Sequence, residues 1–303
     1  MSERRSPGTP GAINTVTTRR GTPPGRILTP TGTAAARGGS DRVLEMFSNL
    51  LYQTAGIVND ERKRHLLKTK MDRLLSRKGI GSYEEYWDLI NTPGNHADLQ
   101  EFFDMMTTNT TEFFRENNHF VYIQNNFNTI MQHNPRIQRN REVVIWSAAS
   151  SSGQEPVTLA LVMLELLGEK YGVRILATDL DTQILTKAIR GAYSPPEVEG
   201  IPPKLLSKYF SRVGEEYLTV DRVRSVITYR QFNLMHDFKF RHGFDMIFCR
   251  NVMIYFDNTT QETLVNKFYE QLVPGGMLFM GHSESMVNKQ HRYRPVAPAI
   301  WLK

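Results

Sequence analysis

Apolar side chains are scarce and aperiodic in the first forty residues of this chain, where Gly, Pro, Thr and Arg dominate. Such a segment cannot bury enough surface to offset its ordering entropy, so residues 1–40 read as a disordered basic tail. From Ser40 the spacing turns helical. Leu44, Phe47 and Leu51 form one stripe, with Ser40 or Asp41 as the cap and Gly56 as the stop. A second stripe, Leu67, Met71, Leu74 and Leu75, opens at Asn59 and is surrounded by Arg62, Lys63, Arg64, Lys68, Lys70, Arg73, Arg77 and Lys78. Ser82 to Ile90 and Ala97 to Met106 keep the helical period, so residues 41–105 predict an all-helical domain with a recognition role.

Beyond Met106 the pattern changes again. Thr107 to Arg115 reads TTNTTEFFR and precedes an amphipathic helix carrying Phe120, Ile123, Phe127 and Ile130. Val143 to Trp146 is a short β-rich run, followed by the small-residue loop Ser147 to Gly153 and a helix from about Glu155 to Leu166, with Pro156 in its first turn. Val173 to Ala177 predicts the next strand, ending in Thr178 and Asp179, and Gln183 to Arg190 the next helix. Strand, loop and helix in alternation predict an α/β fold, a doubly wound Rossmann-like parallel sheet over residues 106–303. Between about 193 and 229 the rhythm breaks around Pro195, Pro196, Pro202 and Pro203, which predicts an inserted β subdomain in which Tyr217–Val220 pairs with Val223–Tyr229. Phe244 to Cys249 resumes as a buried strand, Thr260 to Leu272 as a helix, Pro274-Gly275-Gly276 as a turn, and Met277 to Gly281 and Ala299 to Leu302 as strands.

Length and composition narrow the classes. A chain of 303 residues with 40% apolar content can bury two cores. Of its formal charge of +6, +5 lies in the first forty residues, where Arg4, Arg5, Arg19, Arg20, Arg26 and Arg37 face only Glu3. The rest is nearly neutral, so nucleic acid is not an expected partner. No apolar run approaches the roughly 20 residues of a spanning helix, and the N-terminus has no apolar h-region, so neither membrane insertion nor secretion is expected. Cys249 is the only cysteine and reads as a small core residue in a cytoplasmic protein. The eight histidines show no close ligand pair, so no metal is expected. His282-Ser283-Glu284-Ser285 follows a strand but lacks a G-x-S-x-G elbow, against a hydrolase.

The candidate chemistry sits at strand ends, where α/β enzymes keep their sites. SAASSSG between a strand and a helix lets a ligand approach backbone N–H groups, although the same loop also serves tight packing. Asp179, at the end of the next strand, can accept from both hydroxyls of a ribose, or can cap the following helix. Glu155, in the first turn of the following helix, complements the helix dipole. FDMIFCRNVMIYFD, Phe244 to Asp257, ends a buried strand in Arg250, Asn251, Tyr255 and Asp257. By themselves Arg115 is also a surface ion pair and Tyr255 a core aromatic.

Taken in order from Thr107 to Ser285, these segments resemble CheR-type chemotaxis receptor methyltransferases: TTNTTEFFR, Gly153-Gln154-Glu155-Pro156, ATDLD through Asp179, FNL at Phe232 to Leu234, RNVMIY and GHSES. The resemblance implies methyl transfer from S-adenosylmethionine to receptor glutamates, giving methyl esters and S-adenosylhomocysteine for chemosensory adaptation. It implies that Arg115 and Tyr255 position the carboxylate, that Glu155 and Asp179 hold the amino-acid and ribose parts of the donor, and that Asn233 and Leu234 meet the adenine. Asn109, Thr111, Arg115, Arg250 and Asn251 then line the donor. Ser150 stands where the family often has cysteine or alanine, and Gln154 where it has a first glutamate; neither change removes a needed donor. The implied partners are the cytoplasmic helices of methyl-accepting receptors, met by the basic second helix. That helix by itself is also an ordinary solvated face. The insert around Val213 to Arg224 is short for docking on a receptor's C-terminal tether, which implies independence of it. A nicotinamide oxidoreductase lacks its glycine fingerprint here, and a silent adenosyl-binding module would not need Arg115 and Tyr255 together.

Overall fold

The computed structural model describes residues 39–58 and 61–303, with the side chains of 39, 40 and 61–63 left aside. The expected tail therefore lies outside the described residues up to residue 38, and residues 39 and 40 already belong to the first helix. Four helices, α1 (Gly39–Ala55), α2 (Glu61–Lys78), α3 (Tyr83–Asn91) and α4 (His96–Met106), close around a core of their own. Leu44, Phe47, Leu51, Leu67, Met71 and Leu74 all face into it, so the apolar stripes are the packing faces. Ser82 caps α3 by accepting from the Glu85 N–H, and Asn95 caps α4 from Asp98.

The larger part starts with α5 (Asn118–His133) and α6 (Pro135–Asn140), then β1 (Glu142–Ala148), α7 (Gln154–Leu167), β2 (Gly172–Asp179) and α8 (Thr182–Arg190). A small piece follows: β3 (Ala192–Tyr193), α9 (Pro195–Val198), α10 (Pro203–Tyr209), β4 (Phe210–Val213), β5 (Glu216–Thr219) and α11 (Asp221–Arg224). The chain then returns through β6 (Ile227–Gln231), β7 (Phe244–Cys249), α12 (Asn258–Gln271), β8 (Leu272–Met280), β9 (Arg294–Ala297) and β10 (Ile300–Leu302). The main sheet runs β6-β2-β1-β7-β8-β10-β9, parallel from β6 to β8, with the last two strands antiparallel. Its period-2 alternation splits the core in two. Val143 and Ile145 of β1 face the layer of α5 and α7, whereas Val144 and Trp146 face that of α12. The buried Trp146 packs among Phe232, Phe238, Phe240, Phe244 and Phe268 and donates its indole N–H to Thr178 Oγ1 at 2.9 Å.

The insert differs from expectation. Tyr217–Val220 does not pair with Val223–Tyr229; β5 pairs with β4 across Gly214 and with β3, while β6 joins the main sheet beside β2. Between the two runs, Asp221–Arg224 forms a helical turn in which Ser225 N–H bonds to the Asp221 carbonyl, so the chain advances where a hairpin would reverse. The turn suited to reversal is Gly214-Glu215, where Gly214 takes φ +62. Pro274-Gly275-Gly276 likewise lies within β8 and not before it. At Gly275 a Cβ would sit 1.8 Å from the His133 carbonyl oxygen, so this close crossing admits only glycine. β7 carries one charge into the interior: Asp245 takes both Arg136 Nη1 contacts, at 2.6 and 2.7 Å, and also accepts from Asn134 and the Val144 N–H.

Candidate active site

β1 and β7 are neighbours in the sheet, but the chain leaves β1 towards β2 and leaves β7 towards β8. This reversal of strand order opens a crevice beyond their carboxyl ends. Ala149 to Ser151 follow β1, Asp179 and Leu180 follow β2, Phe232 to Leu234 follow β6 and Arg250 to Val252 follow β7, and all of them line one cleft. The helical domain roofs it with Leu51, Ala55, Ile57, Leu66, Leu67 and Lys70. Asn109, Thr111, Arg115, Glu155, Asp179, Asn233, Leu234, Arg250, Asn251 and Tyr255 are brought together on its walls.

Each wall is fixed by local chemistry. In the segment before α5, Thr107 Oγ1 and Asn109 Nδ2 donate to Asp181, the N-cap of α8, at 2.9 and 2.7 Å. Phe113 is buried edge-on against Tyr193 and Phe210, and the Phe114 N–H donates to Thr158. These anchors leave the half-buried Arg115 on the cleft wall, its Nη1 donating to the Thr110 carbonyl at 3.0 Å. The β1–α7 loop closes on Asp179, which accepts from the Ser151 N–H at 2.8 Å and the Asp181 N–H at 3.0 Å. Gly153, at φ +93, is the N-cap of α7, and a Cβ there would press within 3.0 Å of the Tyr193 and Tyr229 hydroxyls. Capping of α8 falls to Asp181, so Asp179 does not serve that helix. Of the eight non-glycine residues with positive φ among the described residues, Phe114 and Glu116 lie in the segment before α5, Ala149 and Ser151 in the β1–α7 loop and Asn251 in the turn after β7. Such backbone strain persists where surrounding bonds over-determine it, often at functional sites.

Arg250 is the electrostatic centre. Its guanidinium is almost fully buried and bonds to Glu155 Oε2 and Glu116 Oε2, both at 3.1 Å, and to the Arg115 carbonyl. Burial pushes the Glu155 carboxyl up despite Arg250 and the Ser147 hydroxyl, which donates at 2.7 Å. Burial also raises Asp179, to about 6, against the pull of the Asp181 and Ser151 N–H groups. For Glu116 burial acts upward too, yet Arg250 and bonds from Asn251 and the His282 N–H hold it below its ordinary value. Glu284, in the loop after β8, accepts from the Gly281 N–H at 2.6 Å and the Met253 N–H at 2.7 Å, with burial raising its carboxyl. It thereby clamps the backbone that carries Arg250, Asn251 and the 3-10 turn Met253–Tyr255.

Some placements were not foreseeable. Both ends of the Asn233 amide are engaged by protein: Nδ2 donates to the Thr54 carbonyl at 2.7 Å and Oδ1 accepts from the Met235 N–H. Lys70 donates to the Met106 and Thr107 carbonyls, and burial lowers its ammonium. Nothing distinguished it in sequence from the other cations of α2. Histidine spacing in the sequence did not show that folding brings His119 and His282 beside Glu116, with one ligand atom from each mutually within 4.8 Å. The pair is distant in sequence; only Glu116-x-x-His119 was visible as an i, i+3 pattern. Cys249 is buried in the core. No helix among the described residues is long and apolar enough to cross a membrane.

What the cleft can hold follows from its groups. Two buried carboxylates whose protonation burial favours, a Ser150 hydroxyl with no hydrogen-bond partner, and apolar walls at Leu234, Phe232 and Leu51 suit a ligand with hydroxyls, a cation and a flat apolar ring. Residues 109–300 match the CheR methyltransferase, SAM binding domain, and residues 42–107 the CheR methyltransferase, all-alpha domain. A probable chemotaxis protein methyltransferase of Rhizobium etli is 39% identical over 78% of this chain and 89% of its own. The chemotaxis protein methyltransferase of Escherichia coli is 35% identical over 84% of this chain and 88% of its own, and that of Borreliella burgdorferi 34% identical over 86% and 93%. The fold and the cleft are those of an S-adenosylmethionine-dependent methyltransferase, the methyl donor being its cofactor. The chain belongs to the CheR methyltransferase family.

Proposed function

We propose that this enzyme methylates glutamate side chains on the cytoplasmic helices of methyl-accepting chemotaxis receptors, producing glutamate methyl esters and S-adenosylhomocysteine. The observation that carries this reading is the presence of Arg115 and Tyr255 on the same cleft as Glu155 and Asp179. When bound, S-adenosylmethionine supplies a methyl group on a positively charged sulfur. Asp179 holds the ribose hydroxyls, Glu155 the ammonium group, and the backbone of Asn233 with the side chain of Leu234 the adenine, while Asn109, Thr111, Arg250 and Asn251 close the walls. A substrate glutamate, with a reference pKa of about 4.3, is already ionised at neutral pH, so no general base is required. The residues therefore work by aiming. Arg115 has five N–H donors, with which it orients a carboxylate in two-point fashion, and the Tyr255 hydroxyl holds one oxygen without neutralising it. Orientation of this kind supplies roughly 7–11 kcal/mol.

The exposed Arg64 and Arg73 of α2 give an acidic receptor helix a surface to meet. Arg62, assigned the same role, lies outside the described side chains. Lys68, Arg77 and Lys78 are spent on Asp72, Glu101 and Asp98 within the domain, so they count less. The β4–β5 hairpin, turned by only Gly214 and Glu215, presents little surface for a tether peptide, which favours an enzyme working without one in the cytoplasm. The test is incubation with methyl-labelled donor and receptor-bearing membranes. Base-labile label on the receptor is expected; label that is absent, or stable to base, contradicts glutamate esterification.

A further inference from the structure

We propose that Glu116, His119 and His282 form a binding site for a transition-metal dication such as Zn2+, and that its occupation is linked to the donor cleft through Glu116. The three contribute one carboxylate and two imidazoles, a donor set suited to borderline cations. Ligand atoms mutually within 4.8 Å leave a point no more than about 2.8 Å from all three, so contraction by under 1 Å reaches the roughly 2.0–2.2 Å of zinc bonds. His282 is exposed and supplies both the adjustable ligand and the route from solvent.

His119 is the independent sign of a ligand. It is 0% exposed, yet neither Nδ1 nor Nε2 has a hydrogen-bond partner, the nearby Pro298 carbonyl making no well-formed bond. Buried polar groups are ordinarily satisfied, and a buried imidazole with both nitrogens idle is costly. Its Nδ1 lies 3.9 Å from Glu116 Oε2, a separation too long for a hydrogen bond and suited to a shared cation. The Asn118 amide sits 2.9 Å from His282 Nε2 and fixes that ring, a contact a cation would replace.

Arg250 sets the price of occupation. Glu116 Oε2 accepts from Arg250 at 3.1 Å, so a cation competes for that oxygen. Released from Glu116, the guanidinium turns wholly to Glu155, and the added positive charge also opposes a sulfonium ligand. Metal and methyl donor are therefore mutually antagonistic.

Calorimetric titration of Zn2+ into the metal-free full chain tests this, with Co2+ absorption reporting the ligand set. One ion per chain is expected, with affinity reduced at least tenfold in His282→Ala, whose fold is checked by circular dichroism, and in Glu116→Gln. His65→Ala, at an exposed histidine elsewhere, should leave binding unchanged. Absence of stoichiometric binding, or binding lost in His65→Ala but kept in His282→Ala, overturns the site. Affinity for S-adenosylmethionine, measured without receptor, should fall with Zn2+ in the original chain and not in His282→Ala; equal affinities overturn the linkage.

Discussion

At the scale of single residues, Tyr255 and Asp179 separate aiming from holding. Tyr255→Phe removes one hydroxyl from the cleft wall and leaves the ring that packs beside the α12 layer. It should lower kcat by roughly ten- to a hundredfold, while the donor's Kd, measured by calorimetry, changes less than threefold; unchanged turnover would remove Tyr255 from the chemistry. Asp179 ties binding to pH. Its carboxyl is raised to about 6 by burial in the free protein, and the proposed bonds from ribose hydroxyls would favour the ionised form and lower it on binding. Donor affinity should then fall below pH about 6 by up to tenfold per unit, and a flat profile from pH 5 to 7.5 would contradict the role. The same raised carboxyl acts oppositely on folding: its contribution to stability is present at acid pH and is lost as pH rises through about 6. Asp179 and the run ending in Arg250 and Asn251 were legible at strand ends, and the small-residue loop marked the β1–α7 turn. Asn109, Thr111, Arg115, Asn233 and Leu234 came from the family resemblance, and all of them line the cleft. Glu116, Lys70 and the Asn233–Thr54 tie were not legible, since each depends on a contact made only after distant segments meet.

Elements fix the precision of those residues. The clamp by Glu284 spans the ends of β7 and β8, and both of its oxygens accept from backbone N–H groups. Glu284→Gln places an amide donor against one of them, so a loss of about 1–3 kcal/mol is expected in urea unfolding, with a larger fall in kcat than in donor affinity. Asp245→Ala should cost about 3 kcal/mol or more, because it leaves Arg136 and the Val144 N–H without their buried partner. A change of under 1 kcal/mol would show that the α6–β7 junction adapts. Most elements could be read from their period, as the run from Ser82 for α3 and Pro156 in the first turn of α7 illustrate. The β5–β6 pairing could not: alternation gives a strand its faces but not its neighbour, and a four-residue helical turn decided the topology.

Across the whole molecule, the cleft is shared between a helical roof and a sheet edge, so neither part holds the site alone. The Val58 N–H donates to the Tyr255 carbonyl, Tyr52 donates to Asp257 at 2.6 Å and Asn233 donates to Thr54, stitching α1 and the segment after it to the catalytic wall. Charge reversal of Arg64 and Arg73 together should slow receptor methylation about tenfold at low salt and much less at high salt. Rates indifferent to both changes would separate α2 from receptor binding. The central claim is that the crevice between the ends of β1 and β7 seats the methyl donor with its sulfur towards Arg115 and Tyr255. A crystal structure with S-adenosylhomocysteine tests it most directly: the account predicts ribose hydroxyls on Asp179, the ammonium group on Glu155 and the sulfur facing that pair. Product bound elsewhere, with Asp179 still bonded only to backbone N–H groups, would contradict it.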